Sequence, residues 1–129
     1  MQRSIKLLLL SFSMLIMLAS CGKDDDLDGC DLTSIEKTIV GKWVYPLTNE
    51  TVEFKADGTL IDPQNSTIGG VASESEPTIK TWQMDANGNV EVKSVTGSSS
   101  TNATIVINEF TCDEIMTTFF GFPRTLERQ

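Results

Sequence analysis

The side chains that could carry chemistry in this chain are three cysteines and eighteen acidic residues, since histidine is absent. Without histidine, neither a Ser–His nor a Cys–His nucleophile can be assembled. A carboxylate pair could hydrolyse a glycoside, but the acidic residues in the alternating segments occur singly, as on a solvated face, and Asp113-Glu114 lies in a predicted turn. No phosphate-binding or dinucleotide-binding fingerprint occurs. We therefore predict no catalytic residues, no cofactor and no enzymatic activity.

One acidic stretch has the spacing of a metal-binding loop. Asp24, Asp26, Asp28 and Gly29 match the first half of a calcium loop. That loop closes with a bidentate glutamate at its twelfth position, which is Ile35 in this chain. Zinc is disfavoured because histidine is missing and the cysteines are scattered. We predict no metal site and interpret this stretch as part of a solvated linker.

The N-terminal segment has the composition of a secretory signal. A basic start over residues 1–6 is followed by the almost wholly apolar run Leu7–Leu18 and by two small residues. This run is too short to span a bilayer, which needs about 20 apolar residues. The pattern predicts a signal peptide over residues 1–20.

The four residues Leu18–Cys21 (Leu-Ala-Ser-Cys) resemble the lipobox of bacterial lipoproteins. The resemblance implies that Cys21 receives a diacylglycerol, that cleavage follows at the Ser20–Cys21 bond, and that the new amine is acylated. The next five residues, Gly22–Asp26, are similar to the acidic export signal of surface lipoproteins of the Bacteroidota. That similarity implies an outer-membrane protein facing the exterior, although a charge run is also typical of a simple tether. We assign residues 21–31 to an acidic tether.

The net negative charge of the chain disfavours some classes of partner. The whole chain carries a formal charge of −8, and the signal peptide contributes two positive charges, which leaves −10 on the mature chain. Such a surface repels nucleic acid and anionic lipid, so we expect the acyl chains to be the only membrane contact.

With Cys21 committed to lipid, Cys30 and Cys112 remain as the two cysteines that could form a disulfide. Outside the cell they favour a disulfide, although two separate thiols are the alternative.

The rest of the chain has the pattern of an all-β protein. A short helix is predicted within residues 32–40, and about eight strands follow at short, regular spacing. Turn residues such as Asp57-Gly58 separate these strands, and no segment is long enough for parallel crossovers. The longest loop is predicted over Pro63–Pro77, a polar turn over Gly97–Asn102, and a strand over Ile115–Phe122 that ends at Pro123. The pattern predicts a barrel or sandwich of antiparallel hairpins.

A second resemblance makes this expectation more specific. Gly41-Lys42-Trp43 follows the predicted helix and matches the G-x-W motif found at the start of the first strand in lipocalins. A later predicted strand carries Trp82. With the Asp-Gly hairpin between them, these features are similar to small lipocalin-like lipoproteins of the Bacteroidota. The resemblance covers residues 32–129 and implies an up-and-down barrel in which Trp43 packs beneath an arginine near the C-terminus. Antiparallel closure of the last strand on the first favours Arg128 over Arg124 as that partner.

Two functions follow from these expectations. A set of apolar side chains could line a pocket for a small hydrophobic ligand. Alternatively, these side chains could pack into the core on one face of the sheet and contact loops or another subunit on the other face. This set comprises Trp82, Met84, Met116, Phe120 and Phe122. The first hypothesis is a surface-anchored lipocalin-like domain that binds a small apolar molecule. The alternative is a protein-interaction module, such as an enzyme inhibitor or an accessory subunit of an outer-membrane complex, for which the acidic charge suits a cationic partner.

Overall fold

The structure, a computed structural model, describes residues 30–68 and 77–129. The predicted signal peptide, the lipidation site Cys21 and the calcium-like stretch 24–29 lie outside the described residues. Of the predicted tether, only Cys30 and Asp31 are described.

The described chain is all-β with one short helix, which confirms the predicted fold class. The helix α1 spans Ile35–Thr38 and begins after the N-cap Ser34. The strands are β1 Gly41–Tyr45, β2 Glu50–Phe54, β3 Leu60–Ile61, β4 Thr78–Met84, β5 Val90–Thr96, β6 Ser99–Phe110, β7 Glu114–Phe119 and β8 Phe122–Arg128.

The eight strands form one antiparallel sheet that curls into a nearly closed barrel. Their order is β3-β2-β1-β8-β7-β6-β5-β4, so the last strand lies beside the first. That pairing matches Trp43 with Arg128 and Val44 with Glu127. The two ends of the sheet, β3 and β4, meet at a single bridge between Thr59 and Thr81. The up-and-down barrel is therefore closed by β1–β8 pairing and weakest between β3 and β4.

Alternation along the strands fills the inside of the barrel. In β5, for example, Val90, Val92, Ser94 and Thr96 are buried while the residues between them face outward. Because successive side chains of a strand point to opposite faces, the buried side chains of each strand lie two residues apart. The buried apolar side chains are Ile39, Trp43, Tyr45, Val52, Phe54, Leu60, Ile68, Trp82, Val90, Val92, Ala103, Ile105, Ile115, Phe119 and Leu126.

The boundaries of β6 differ from the sequence prediction. Residues 97–102 are polar and were expected to form a turn, but the turn is confined to Gly97 and Ser98. Ser99–Asn102 extends β6 and pairs with Lys93–Thr96 of β5. All four of these β6 residues are exposed. Backbone pairing, and not the burial of apolar side chains, therefore holds this end of β6.

The apolar run 115–122 also divides differently from the expectation. It was predicted as one strand that ends at Pro123, followed by a short strand over 124–128, whereas a two-residue turn at Phe120-Gly121 separates β7 from β8. Both turn residues have positive φ, 49° and 82°, as the tight hairpin turn of type I′ requires. Pro123 lies inside β8, where β8 pairs with β7 but not yet with β1. A proline is tolerated there because only one side of the strand is paired.

Candidate functional site

One end of the barrel is closed around the motif tryptophan. Trp43 is fully buried and its Nε1 donates to the carbonyl of Ile39, 2.7 Å away. The guanidinium of Arg128 lies over the indole ring at 4.4 Å. Its Nη2 donates to the Thr38 carbonyl at 2.6 Å, and its Nε donates to the Cys112 carbonyl. The structure thus brings together the two residues that the lipocalin resemblance paired.

The glycine of the G-x-W motif has a steric role at this closed end. Gly41 has φ +136°, a conformation that other residues rarely adopt. A Cβ at this position would meet Nη1 of Arg128 at 2.9 Å. Any side chain here would therefore displace the guanidinium from Trp43.

A disulfide attaches the end of the tether to the same end of the barrel. Cys30 and Cys112 are bonded, with Cα atoms 5.3 Å apart, which confirms the predicted bridge. The neighbouring Asp31 accepts hydrogen bonds from Thr33 and from the Lys37 ammonium at 3.0 Å. These bonds, that from the Thr33 hydroxyl foremost, lower the pKa of Asp31 to about 2. The last two residues of the predicted tether are thus fixed against the barrel.

The opposite end is covered by a segment whose residues from Pro63 onward were predicted to lie in the longest loop. We call residues 62–68 the strap. The Asp62 carboxylate accepts hydrogen bonds from the backbone and hydroxyl groups of Ser66 and Thr67 and from the amide of Ile68. It also forms an ion pair with Lys80 of β4, at 3.0 Å. Its side chain is fully buried, and that of Lys80 is 7% exposed.

The strap crosses the barrel from wall to wall. On one side Lys80 donates to the carbonyl and carboxylate of Asp62 and to the side chain of Asn65. On the other side Nη1 of Arg124, in β8, donates to the Ser66 carbonyl at 2.9 Å. In the strand order, β4 and β8 are separated by three strands in either direction around the barrel. They lie on opposite walls, so a segment bonded to both must span the mouth.

Arg124 therefore belongs to the strap end and not to the Trp43 end. Its guanidinium lies over the rings of Tyr45 at 5.6 Å and Phe119 at 5.7 Å. Burial raises the pKa of Tyr45, and the nearby positive charge of Arg124 offsets this only in part. We infer that Tyr45 is un-ionised at neutral pH and serves as a packing surface for Arg124.

One buried pair has residue types that can form a nucleophile. Lys80 and Ser94 are directly opposite each other on β4 and β5, on the inner face. A Ser–Lys catalytic pair needs a neutral amine that can accept the hydroxyl proton. Here Nζ of Lys80 donates to three acceptors, two on Asp62 and one on Asn65. The ammonium has no free position for Ser94, whose buried hydroxyl has no hydrogen-bond partner among residues 30–68 and 77–129.

The five residues expected to line an apolar pocket are not brought together, which corrects that prediction. Trp82 and Met84 face the core, and the Trp82 Nε1 donates to the Lys55 carbonyl. Met116 alternates to the outer face of β7 because Ile115 and Thr117 point inward. Phe120 and Phe122 lie at the β7–β8 turn and are 74% and 69% exposed. The sequence shows an apolar run, whereas the turn inside that run decides which side chains face solvent.

Two grooves lined by described residues lie mainly on the outside of the barrel. The first, which we call the outer groove, has a volume of about 580 Å³ and runs over β7 and β8 beside the β1–β2 turn. Its apolar side chains are Pro46, Leu47, Met116 and Pro123, and its carboxylates are Glu50, Glu114 and Glu127. Leu47 is 98% exposed. The second groove, of about 600 Å³, lies over β4–β6 and is lined mostly by polar outer-face residues such as Gln83, Glu91 and Lys93.

Sequence reasoning missed the strap and the outer groove for different reasons. The strap had one usable signal, since Lys80 shares the inner face of β4 with Trp82 and Met84. A charge on an inner face needs a buried partner, and Asp62 is that partner. The outer groove had no local signal, because its residues come from the β1–β2 turn and from two strands near the C-terminus.

Three further findings complete the description of the site. Within residues 30–68 and 77–129, no group of three or more acidic, cysteine or histidine side chains is placed to hold a metal ion. In the same ranges no helix is long and apolar enough to cross a membrane. Comparison of the chain with protein-family models, curated proteins and solved structures gives no match to any of them.

Proposed function

We propose that this protein is a lipid-anchored domain at the cell surface that binds another protein on the outside of its barrel. The observation that carries the proposal is the combination of a filled interior with exposed apolar side chains. The core side chains occupy the interior, Arg128 closes one end, and the strap covers the other. Leu47, Phe120 and Phe122 remain exposed. Leu47 also lines the outer groove, and a large exposed apolar side chain beside a groove is typical of a protein-binding surface.

The attachment point supports this arrangement. Cys30 follows the proposed lipidation site Cys21 by nine residues, and such a tether reaches at most about 30 Å. The disulfide fixes Cys30 to the turn before β7, beside Arg128. In the proposed arrangement the Trp43 end faces the membrane, and the strap end faces away from it. The β1–β2 and β7–β8 turns, which carry the exposed apolar residues, are then accessible to a partner.

Cross-linking in the native host tests the proposal. A photoreactive residue in place of Leu47 should cross-link to a defined partner protein, whereas the same residue in place of Lys93, on the other groove, should not. The anchor is tested with Cys21→Ala, which should release the protein from membranes or block its maturation. Native mass spectrometry of the purified lipoprotein gives the opposing result. A small apolar molecule retained inside the barrel, with no cross-linked partner, would favour the carrier function instead.

A further inference from the structure

The outer groove combines an apolar floor with carboxylates that form no ion pair with any basic residue that the structure describes. Within the described ranges the ion pairs are Lys37–Asp31 and Lys80–Asp62, and neither involves Glu50, Glu114 or Glu127. The groove's one basic residue, Arg124, directs its guanidinium to the Ser66 carbonyl and to two aromatic rings. The groove therefore presents uncompensated negative charge.

Two of these carboxylates face each other directly. Glu114 of β7 and Glu127 of β8 are paired residues of the antiparallel ladder and are both exposed on its outer face. Directly opposed side chains have Cβ atoms about 5 Å apart, and like charges in this position destabilise a sheet. Met116, two residues along β7, continues the same face with an apolar side chain. A cation placed between the two carboxylates would remove the repulsion.

We infer that the outer groove binds a basic, amphipathic segment of a partner protein. A lysine or arginine of that segment lies between Glu114 and Glu127, and its apolar side chains cover Leu47 and Met116. This inference rests on the proposed function and specifies the chemistry of the partner. Charge complementarity selects a cationic segment, and the apolar floor separates an amphipathic segment from a merely basic one.

The experiment measures binding of a defined probe to the full lipoprotein in nanodiscs of zwitterionic lipid. The probe is a short fluorescein-labelled peptide of alternating lysine and leucine, followed by anisotropy, with empty nanodiscs as the blank. Its counterpart with glutamate in place of lysine should not bind. The double variant Glu114→Gln/Glu127→Gln should weaken binding about 2- to 30-fold at low salt, as expected for two exposed ion pairs. Leu47→Ser should weaken it at every salt concentration.

The matched control is Glu36→Gln/Glu91→Gln, which removes the same charge from exposed positions outside the groove. Equal weakening by the two double variants would overturn the inference, because binding would then follow net charge alone. Binding of the glutamate peptide as tightly as the lysine peptide would also overturn it. The proposed function has a separate outcome: if the Leu47 cross-link to the host partner survives Glu114→Gln/Glu127→Gln, a protein is bound but not through these carboxylates.

Discussion

Replacing Asp62 by asparagine tests whether the strap ion pair holds the barrel mouth closed. Asparagine keeps the size of the side chain and some of its acceptors, but leaves the ammonium of Lys80 without a counter-ion. Both side chains are almost fully buried, the carboxylate at 0% and the lysine at 7% exposure. Breaking a buried pair by removing one partner costs about 3–5 kcal/mol. We expect Asp62→Asn to lower the free energy of unfolding by that amount at neutral pH.

The pH dependence of the free energy of unfolding gives a second value for the stabilisation that the Asp62 carboxylate contributes. Burial alone would raise the pKa of Asp62, but hydrogen bonds from Thr67, Ser66 and Lys80 outweigh burial and lower it from the ordinary 3.8 to about 2. This difference corresponds to about 2 kcal/mol of folding free energy. The stabilisation is complete above the pKa of the unfolded chain, near pH 4. It is lost as the pH falls towards 2, because protons then bind the unfolded state first.

The assay is urea unfolding followed by the fluorescence of the two buried tryptophans, at pH values from 7 down to 2. The wild-type protein should lose about 2 kcal/mol more than Asp62→Asn between pH 5 and pH 2. Glu36→Gln removes one exposed carboxylate and serves as the control, with a change below about 0.5 kcal/mol. Adding Lys80→Met to Asp62→Asn should cost less than the two single changes together. A loss below 1 kcal/mol in Asp62→Asn, or additive single changes, would refute the reasoning.

For four further changes the structure predicts whether the free energy of unfolding rises or falls. Arg128→Met removes charged hydrogen bonds and the contact over the indole, and should cost about 2–4 kcal/mol in urea unfolding. Reduction of the Cys30–Cys112 bond, whose partners are 82 residues apart, should cost about 4–5 kcal/mol in thermal or urea unfolding. Glu127→Gln removes a like-charge contact and should add about 0.2–1 kcal/mol, an increase that high salt abolishes. Ser94→Ala removes a buried hydroxyl that has no partner in the described part of the chain and should add about 1 kcal/mol; a loss of stability would show that the hydroxyl is bonded.

The barrel was predictable because its signals are local. The alternation in β2 places Val52 and Phe54 on one face, and the structure buries both. The Asp57-Gly58 turn was recognised from two adjacent residues, and Gly58 has the positive φ of 84° that such a turn needs. The lipocalin resemblance implied an arginine over Trp43, and closure of the last strand on the first favoured Arg128 as that arginine. Once a meander closes antiparallel, its first and last strands can pair in few registers.

The strap and the groove were not predictable because they depend on contacts across the barrel. Asp62 and Lys80 are separated by eighteen residues, and only the curvature of the sheet brings the strap over the mouth. The exposure of Phe120 depends on one turn. Had that turn formed one residue away, the side chains of β8 would have exchanged faces. Composition identifies an apolar run in both cases and cannot choose between them.

The side chains inside the barrel favour the proposed binding at its outer surface over a ligand in its interior. An eight-stranded barrel has an interior just wide enough for side chains to fill, and a ligand fits only where those side chains are small. Here the inner positions include Trp43, Phe54, Trp82 and Phe119, and the strap occupies the mouth. A ligand would have to displace the strap and its buried ion pair, at a cost of several kcal/mol. The outer groove is already exposed, so a partner can bind there without opening the barrel.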